Sequence, residues 1–221
     1  MTARLATPPL ALALVLGLTS MRPTPAAQER PQSLAMRYAS GWENDRLRVR
    51  TMSVAPGAQM PAYGSGDAVF VFLTADLAGR MPSAEATWQA AGATDLQNRG
   101  KRRVEGLVIE IKKTDTRDAG VTPPEALPLT GVADARVLID NEQVLVTKQR
   151  FLPGVYMTPE WHFHPQDTLI VYLTGGFVGQ RYGWGLQRVR RGEFDVLPAN
   201  MLHGFANPGI DPLEFLAIFP K

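Results

Sequence analysis

A repeat of about 100 residues constrains the fold of this chain more than any other feature of its sequence. One group of residues recurs 97 positions later, and a second group recurs 100 positions later. The matched pairs are Asn44/Asn141, Val49/Val146, Pro56/Pro153, Gly57/Gly154, Met60/Met157, Asp67/Asp167, Val71/Val171, Leu73/Leu173 and Thr74/Thr174. A period of this length is too long for a solenoid and indicates two duplicated domains.

Each copy consists of short β-like runs separated by turn residues. The runs are Leu47–Val54, Ala68–Thr74 and Glu105–Lys112 in the first copy, and Ala135–Phe151, Leu169–Thr174, Glu193–Leu197 and Leu213–Phe219 in the second. Many short strands without a long helical period predict a β-sandwich or barrel. The pattern is also compatible with a short helix near Ser83–Ala91.

The chain divides into five segments. Residues 1–27 have the pattern of a secretory signal peptide, with Arg4, an apolar stretch over Leu10–Leu18 and small residues ending at Ala27. The apolar stretch is too short to span a bilayer comfortably, and an uncleaved anchor is the alternative. The other segments are an N-terminal arm (28–42), the first repeat (43–112), a proline-containing linker (113–132) and the second repeat (133–221). We therefore expect a secreted or periplasmic protein that does not contact the membrane after cleavage.

Charge and cysteine content exclude two classes of function. The net charge of +2 falls to zero once Arg4 and Arg22 are removed with the signal peptide, so no basic patch indicates nucleic-acid binding. The chain has no cysteine. A secreted chain of this kind has no disulfides, must hold its fold by its core, and has no thiolate nucleophile.

All three histidines lie in the second repeat, at His162, His164 and His203. Side chains alternate along a strand, so His162 and His164 project from one face with their Cα atoms roughly 6.7 Å apart. Imidazoles at that spacing can converge on one metal ion at about 2.0–2.1 Å from each nitrogen. A third ligand must come from elsewhere in the fold, and His203 is the remaining histidine.

The two stretches around these histidines resemble the paired metal-binding motifs of the cupins. His162, His164 and Gly175 fit the first motif, and Gly192, Pro198, His203 and Asn207 fit the second. The resemblance implies an all-β fold of two tandem cupin jelly-roll β-barrels, a bicupin. It also implies that the three histidines hold one mononuclear metal ion.

The chain departs from the cupin pattern at four positions. Gly154 precedes His162 by two residues more than the motif has, and Asn200 stands where glycine is usual. Asn tolerates the left-handed backbone that a glycine would serve. Thr168 holds the position of the motif's glutamate ligand, and Asp167 lies one residue before it.

The first repeat has lost the ligands. Ala62 and Gly64 stand at the positions of His162 and His164, and Asp95 stands at the position of His203. A single Asp is a poor metal site. The sequence therefore predicts one metal-binding domain and one degenerate, structural copy.

A site made of three neutral imidazoles favours an anionic chelating ligand, because it leaves the full charge of a divalent ion uncompensated. Three protein ligands also leave coordination positions open, as catalysis requires. We expect one divalent ion, with Fe(II) favoured and Zn, Mn, Ni or Cu as alternatives. The resemblance then implies a dioxygenase-type oxidoreductase acting on a small anionic or enolisable substrate. A metal-assisted isomerase or hydrolase, and a non-catalytic small-molecule or metal-binding cupin, are the alternatives.

Four further residues are candidates for the site. Asp167 is a candidate fourth ligand or a hydrogen-bond acceptor behind an imidazole, although its match to Asp67 favours a turn role. Tyr172, Gln149 and Arg181 are candidates for the pocket, and Arg181 is also consistent with a surface loop. The expected partners are a small-molecule ligand or substrate and, by resemblance, a second copy in a homodimer.

Overall fold

A computed structural model describes 36–38, 41–60, 63, 66–74, 76–79, 86–92, 96–112, 132–155, 164–180, 185–201 and 203–221. Several predicted features lie outside these residues, namely the signal peptide, most of the arm and of the linker, Ala62, Gly64, Asp95, His162 and Arg181. Within the described ranges, no helix is long and apolar enough to cross a membrane.

The described residues form fourteen β-strands. The strands before the linker are β1 (Met36–Tyr38), β2 (Trp42–Glu43), β3 (Leu47–Val54), β4 (Asp67–Phe72), β5 (Ala86–Gln89) and β6 (Val104–Ile111). Those after it are β7 (Val132–Asp140), β8 (Val144–Phe151), β9 (Thr168–Tyr172), β10 (Gly176–Gln180), β11 (Gly185–Val189), β12 (Phe194–Leu197), β13 (Phe205–Ala206) and β14 (Leu213–Pro220).

The strands pair antiparallel in three sheets. The first repeat forms a five-stranded sheet in the order β2-β3-β6-β4-β5. The second forms a six-stranded sheet, β1-β12-β9-β14-β8-β7, and a three-stranded sheet, β11-β10-β13. Strand β1 precedes the first repeat in sequence but pairs with β12 of the second. The fold is all-β, with antiparallel sheets in two tandem halves, as the sequence predicts.

Apolar side chains fill three layers. The first layer joins the five-stranded sheet to the six-stranded sheet and includes Val69, Val71, Leu169 and Val171. The second fills the barrel of the second half, and the third fills that of the first half. Strands β4 and β9 are buried along their whole length because each separates the shared layer from a barrel interior. This double burial explains why both read as continuous apolar runs.

Equivalent hydrogen bonds recur in the two halves. The buried side-chain amide of Asn98 donates to the Val54 carbonyl at 2.9 Å. The buried Asn207 amide donates to the Phe151 carbonyl at 3.0 Å, and Phe151 lies 97 positions after Val54.

Matched glycines bind the same two asparagines. The backbone N–H of Gly57 donates to the Asn98 carbonyl, and that of Gly154 donates to the Asn207 carbonyl, each at 2.8 Å. Both glycines have positive φ, 75° and 74°, a conformation that residues with a Cβ rarely adopt. The duplicated backbone therefore repeats in its turns as well as in its strands.

Two sequence-based expectations are wrong. The predicted run Ala135–Phe151 is two strands, β7 and β8, because the Asn141 side chain accepts hydrogen bonds from the N–H groups of Gln143 and Val144 and turns the chain. The predicted helix near Ser83–Ala91 contains strand β5 instead. Strand β5 pairs with the buried strand β4, whose backbone groups need a partner on that side.

We predict that Asn98→Ala and Asn207→Ala each lower the free energy of unfolding by about 1–3 kcal/mol, because each leaves buried carbonyls without a donor. Urea denaturation followed by tryptophan fluorescence measures the change. The control is Gln97→Ala, because the Gln97 amide also donates to a backbone carbonyl but is exposed. Losses no larger than that of the control would contradict the buried role of the two asparagines.

Candidate metal centre

His164 and His203 come from two loops at one end of the second barrel. His164 lies ahead of β9, and its ring centre is 4.9 Å from that of Phe219 in β14. His203 lies between β12 and β13, is 3% exposed, and has its ring centre 5.8 Å from that of Phe205. Both Phe side chains belong to the apolar layer inside the barrel. The two imidazoles therefore lie against the barrel interior.

The structure brings these two imidazoles together. Their ring centres are 5.0 Å apart and their planes are inclined at 46°. Two imidazoles that bind one ion at about 2.0–2.1 Å, at angles between square and tetrahedral, have ring centres about 4.5–5.2 Å apart. The separation of the two described imidazole rings is therefore compatible with a shared metal ion.

A backbone carbonyl fixes the orientation of His203. Its Nδ1 lies 2.8 Å from the Met201 carbonyl oxygen. A carbonyl oxygen only accepts, so Nδ1 carries the proton and donates it. In the neutral ring the lone pair is then on Nε2, which is buried. A hydrogen bond from one ring nitrogen to a carbonyl is the usual way to orient a histidine that ligates a metal through the other.

Two hydrogen bonds join the loops that carry the histidines. The N–H of Asn200 donates to the His164 carbonyl at 2.7 Å, and the N–H of Ala199 donates to Asp167 Oδ1 at 2.8 Å. Asn200 has a φ of 60°, which confirms the left-handed turn expected at the position where the motif has glycine. This turn directs the chain from the end of β12 towards His203.

The position of the motif's glutamate holds no carboxylate. Thr168 is the buried first residue of β9. The second oxygen of Asp167 accepts a hydrogen bond of 2.6 Å from the Asn44 side-chain amide of the first half. The described contacts of Asp167 are thus with the Ala199 turn and with the other half of the chain. A role for Asp167 as a fourth ligand stays a prediction.

Polar side chains line the barrel interior beyond the histidines. Gln149 is buried in β8, and its amide nitrogen donates to Thr147 Oγ1 at 3.3 Å. The Tyr172 hydroxyl donates to Asp195 Oδ2 at 2.7 Å, and both of these residues are buried. Ala217, opposite Thr147 in the neighbouring strand, adds little volume to the same face.

Sequence reasoning selected Gln149 and Tyr172 but missed Thr147 and Asp195. A usable signal was present for Asp195, because alternation places it on the face opposite Phe194 in a strand that is otherwise apolar. Among the described residues, no three His, Cys, Asp or Glu side chains form a group that could hold a metal ion. His162, the third predicted ligand, lies outside the described ranges and stays a prediction.

No protein-family model and no curated protein sequence matches this chain. Solved structures do match it. A cupin domain from Bordetella pertussis is 32% identical, over 41% of this chain and 94% of that domain, with a TM-score of 0.37. A cupin 2 conserved barrel domain protein from Leptotrichia buccalis is 13% identical, over 86% of this chain and 90% of that one, with a TM-score of 0.51.

The chain has the cupin fold.

An enzyme of known activity has a similar fold. Salicylate 1,2-dioxygenase from Pseudoaminobacter salicylatoxidans, in a structure with gentisate, has a TM-score of 0.53 to this cupin. The match covers 79% of this chain and 68% of the dioxygenase at 10% identity. At this identity the likeness establishes the fold that the two proteins share.

We predict that the neutral His203 imidazole of the metal-free cupin is the Nδ1–H tautomer, because the Met201 carbonyl accepts that proton. Long-range ¹H–¹⁵N correlation spectra, with His203 assigned from a His203→Gln variant, distinguish the two ring nitrogens. A proton on Nε2 in the neutral ring would contradict the conclusion that Nε2 carries the lone pair available to a metal.

Proposed function

We propose that this cupin is a secreted or periplasmic, metal-dependent oxidoreductase of dioxygenase type that acts on a small anionic or enolisable molecule. His162, His164 and His203 would hold one divalent ion. The observation that carries the proposal is the 5.0 Å approach of the His164 and His203 rings at the end of the barrel. The fold shared with a dioxygenase supports it.

The proposed ligand set suits an anionic substrate. When bound, an ion such as Fe(II) supplies open coordination positions for substrate and dioxygen. Three imidazoles bring no negative charge of their own, and Thr168 adds none where the motif has a glutamate. A carboxylate or enolate would therefore meet the full charge of the ion. Phe219 and Phe205, packed against the histidine rings, limit the access of water.

Gln149 is suited to hold the other end of such a substrate. Its Oε1 is buried and, in the part of the chain that the structure describes, accepts no hydrogen bond. An unsatisfied buried acceptor costs about 1–3 kcal/mol, which a hydroxyl donor on the substrate would recover. Hydroxy-carboxylates such as gentisate carry both an anionic group and such a donor.

The proposal is tested by oxygen consumption. The mature protein is loaded anaerobically with Fe(II) and mixed with gentisate, salicylate or a 2-oxo acid, and His203→Ala is the control. Oxygen uptake coupled to loss of one of these compounds, absent in the control, is the expected result. If the Zn-loaded protein converts one of these compounds without oxygen uptake, the protein is an isomerase or hydrolase and not a dioxygenase. Ligand binding without turnover under any metal would make this a binding protein.

We predict that Gln149→Leu raises KM for a converted substrate at least about tenfold, the equivalent of losing roughly 1.4 kcal/mol of binding. Its metal content stays unchanged, because Gln149 is not among the proposed ligands. Steady-state oxygen uptake and metal analysis measure the two quantities. Gln97→Leu, a change in the first half, is the control. An unaltered KM in Gln149→Leu would remove this residue from the substrate site.

A further inference from the structure

Asp167 joins three segments of the chain. It lies three residues after His164 in sequence. One of its carboxylate oxygens accepts the Ala199 N–H at 2.8 Å, in the turn that leads to His203. The other accepts the Asn44 side-chain amide at 2.6 Å. The loop of one histidine is thereby tied to the loop of the other and to the degenerate half of the protein.

Asn44 is itself held in place. Its side-chain oxygen accepts the N–H groups of Arg46 and Leu47 at 2.9 and 2.8 Å. The Lys112 ammonium donates to the Asn44 carbonyl at 2.6 Å and also to Glu43. Hydrogen bonds from Arg48 and Lys112 lower the pKa of Glu43 to about 2, so this carboxylate is charged at neutral pH. The Asn44 amide that donates to Asp167 therefore belongs to a turn that is held in place by hydrogen bonds.

The opposite contact exists between the same two halves. The Gln143 side-chain amide of the second half donates to Asp67 Oδ2 of the first. Asp67 Oδ1 accepts the Ala91 N–H at 2.6 Å, as Asp167 Oδ1 accepts that of Ala199. Each half thus donates one amide to an aspartate of the other. The repeat aligns Asp67 with Asp167, but the first half has no histidine for Asp67 to position.

We propose that the degenerate half positions the metal ligands of the active half through the Asn44–Asp167 hydrogen bond, with Asp167 a positioning residue. This inference rests on the proposed metal site. Its physical basis is that the carboxylate of Asp167 holds the two histidine loops together only while its own orientation is fixed. The Asn44 amide fixes that orientation from outside the barrel.

The test compares two isosteric substitutions. Asn44→Asp keeps the side-chain oxygen that closes its turn but replaces the donor to Asp167 with a negative charge. Gln143→Glu makes the same change against Asp67. Both variants lose one contact between the halves, and their midpoint temperatures measure that shared structural cost. Co(II) titration followed by its absorption spectrum measures metal affinity and ligand geometry.

We expect Asn44→Asp to weaken Co(II) binding at least about tenfold and to alter the spectrum, while Gln143→Glu binds as the wild type does. The reciprocal variant Asn44→Asp/Asp167→Asn restores a donor facing an acceptor and should recover most of the affinity. Equal affinities in Asn44→Asp and Gln143→Glu would overturn the positioning role while leaving the metal site intact.

A readout without metal keeps the two proposals separable. Asn44→Asp should shift the imidazole resonances of both His164 and His203 in the metal-free protein, and Gln143→Glu should leave them in place. A wild-type protein that binds no Co(II) would overturn the proposed function and this inference with it. Unshifted resonances in Asn44→Asp would overturn the positioning role alone.

Discussion

The apolar layer shared by the five-stranded and six-stranded sheets is the contact on which the rest of this structure depends. Leu169 and Val171 enter it from one side and Val69 and Val71 from the other, all without solvent exposure. Without the first half, the outer face of the six-stranded sheet would expose this layer to water. The degenerate repeat is therefore required to bury this apolar layer.

The shared layer also leaves the barrel of the second half free to hold a polar site. The inward faces of β8, β9 and β12 carry Thr147, Gln149, Tyr172 and Asp195 as well as apolar side chains. Each of these polar groups costs free energy when buried, and hydrogen bonds offset part of that cost. The apolar burial that stabilises the fold lies mainly elsewhere, in the shared layer and around the phenylalanines. The division between the two layers leaves room for polar side chains inside the barrel of the second half.

The sequence was sufficient for the fold and for part of the site. The repeat and the short apolar runs predicted two duplicated domains of β-sandwich or barrel type. The resemblance of the stretches around His164 and His203 to the cupin motifs predicted that two distant loops would meet. The Asn200 turn followed from its position in the motif. The sequence pattern alone could not separate β7 from β8, because the turn between them consists of ordinary polar residues. Such residues do not visibly break the alternation of polar and apolar positions along a strand. It also could not place Asn44 beside Asp167, since that contact joins residues 123 positions apart in different halves.

The measurement that tests the central claim most directly is the metal content of tag-free protein purified from its native compartment. We predict about one divalent ion per chain. The ion should be lost in the His164→Ala/His203→Ala variant. Circular dichroism should show that the fold of this variant is unchanged. Protein without bound metal that also takes up none from Fe(II), Mn(II), Ni(II), Cu(II) or Zn(II) would contradict it. The 5.0 Å histidine pair would then be part of the packing of the barrel and not a metal site.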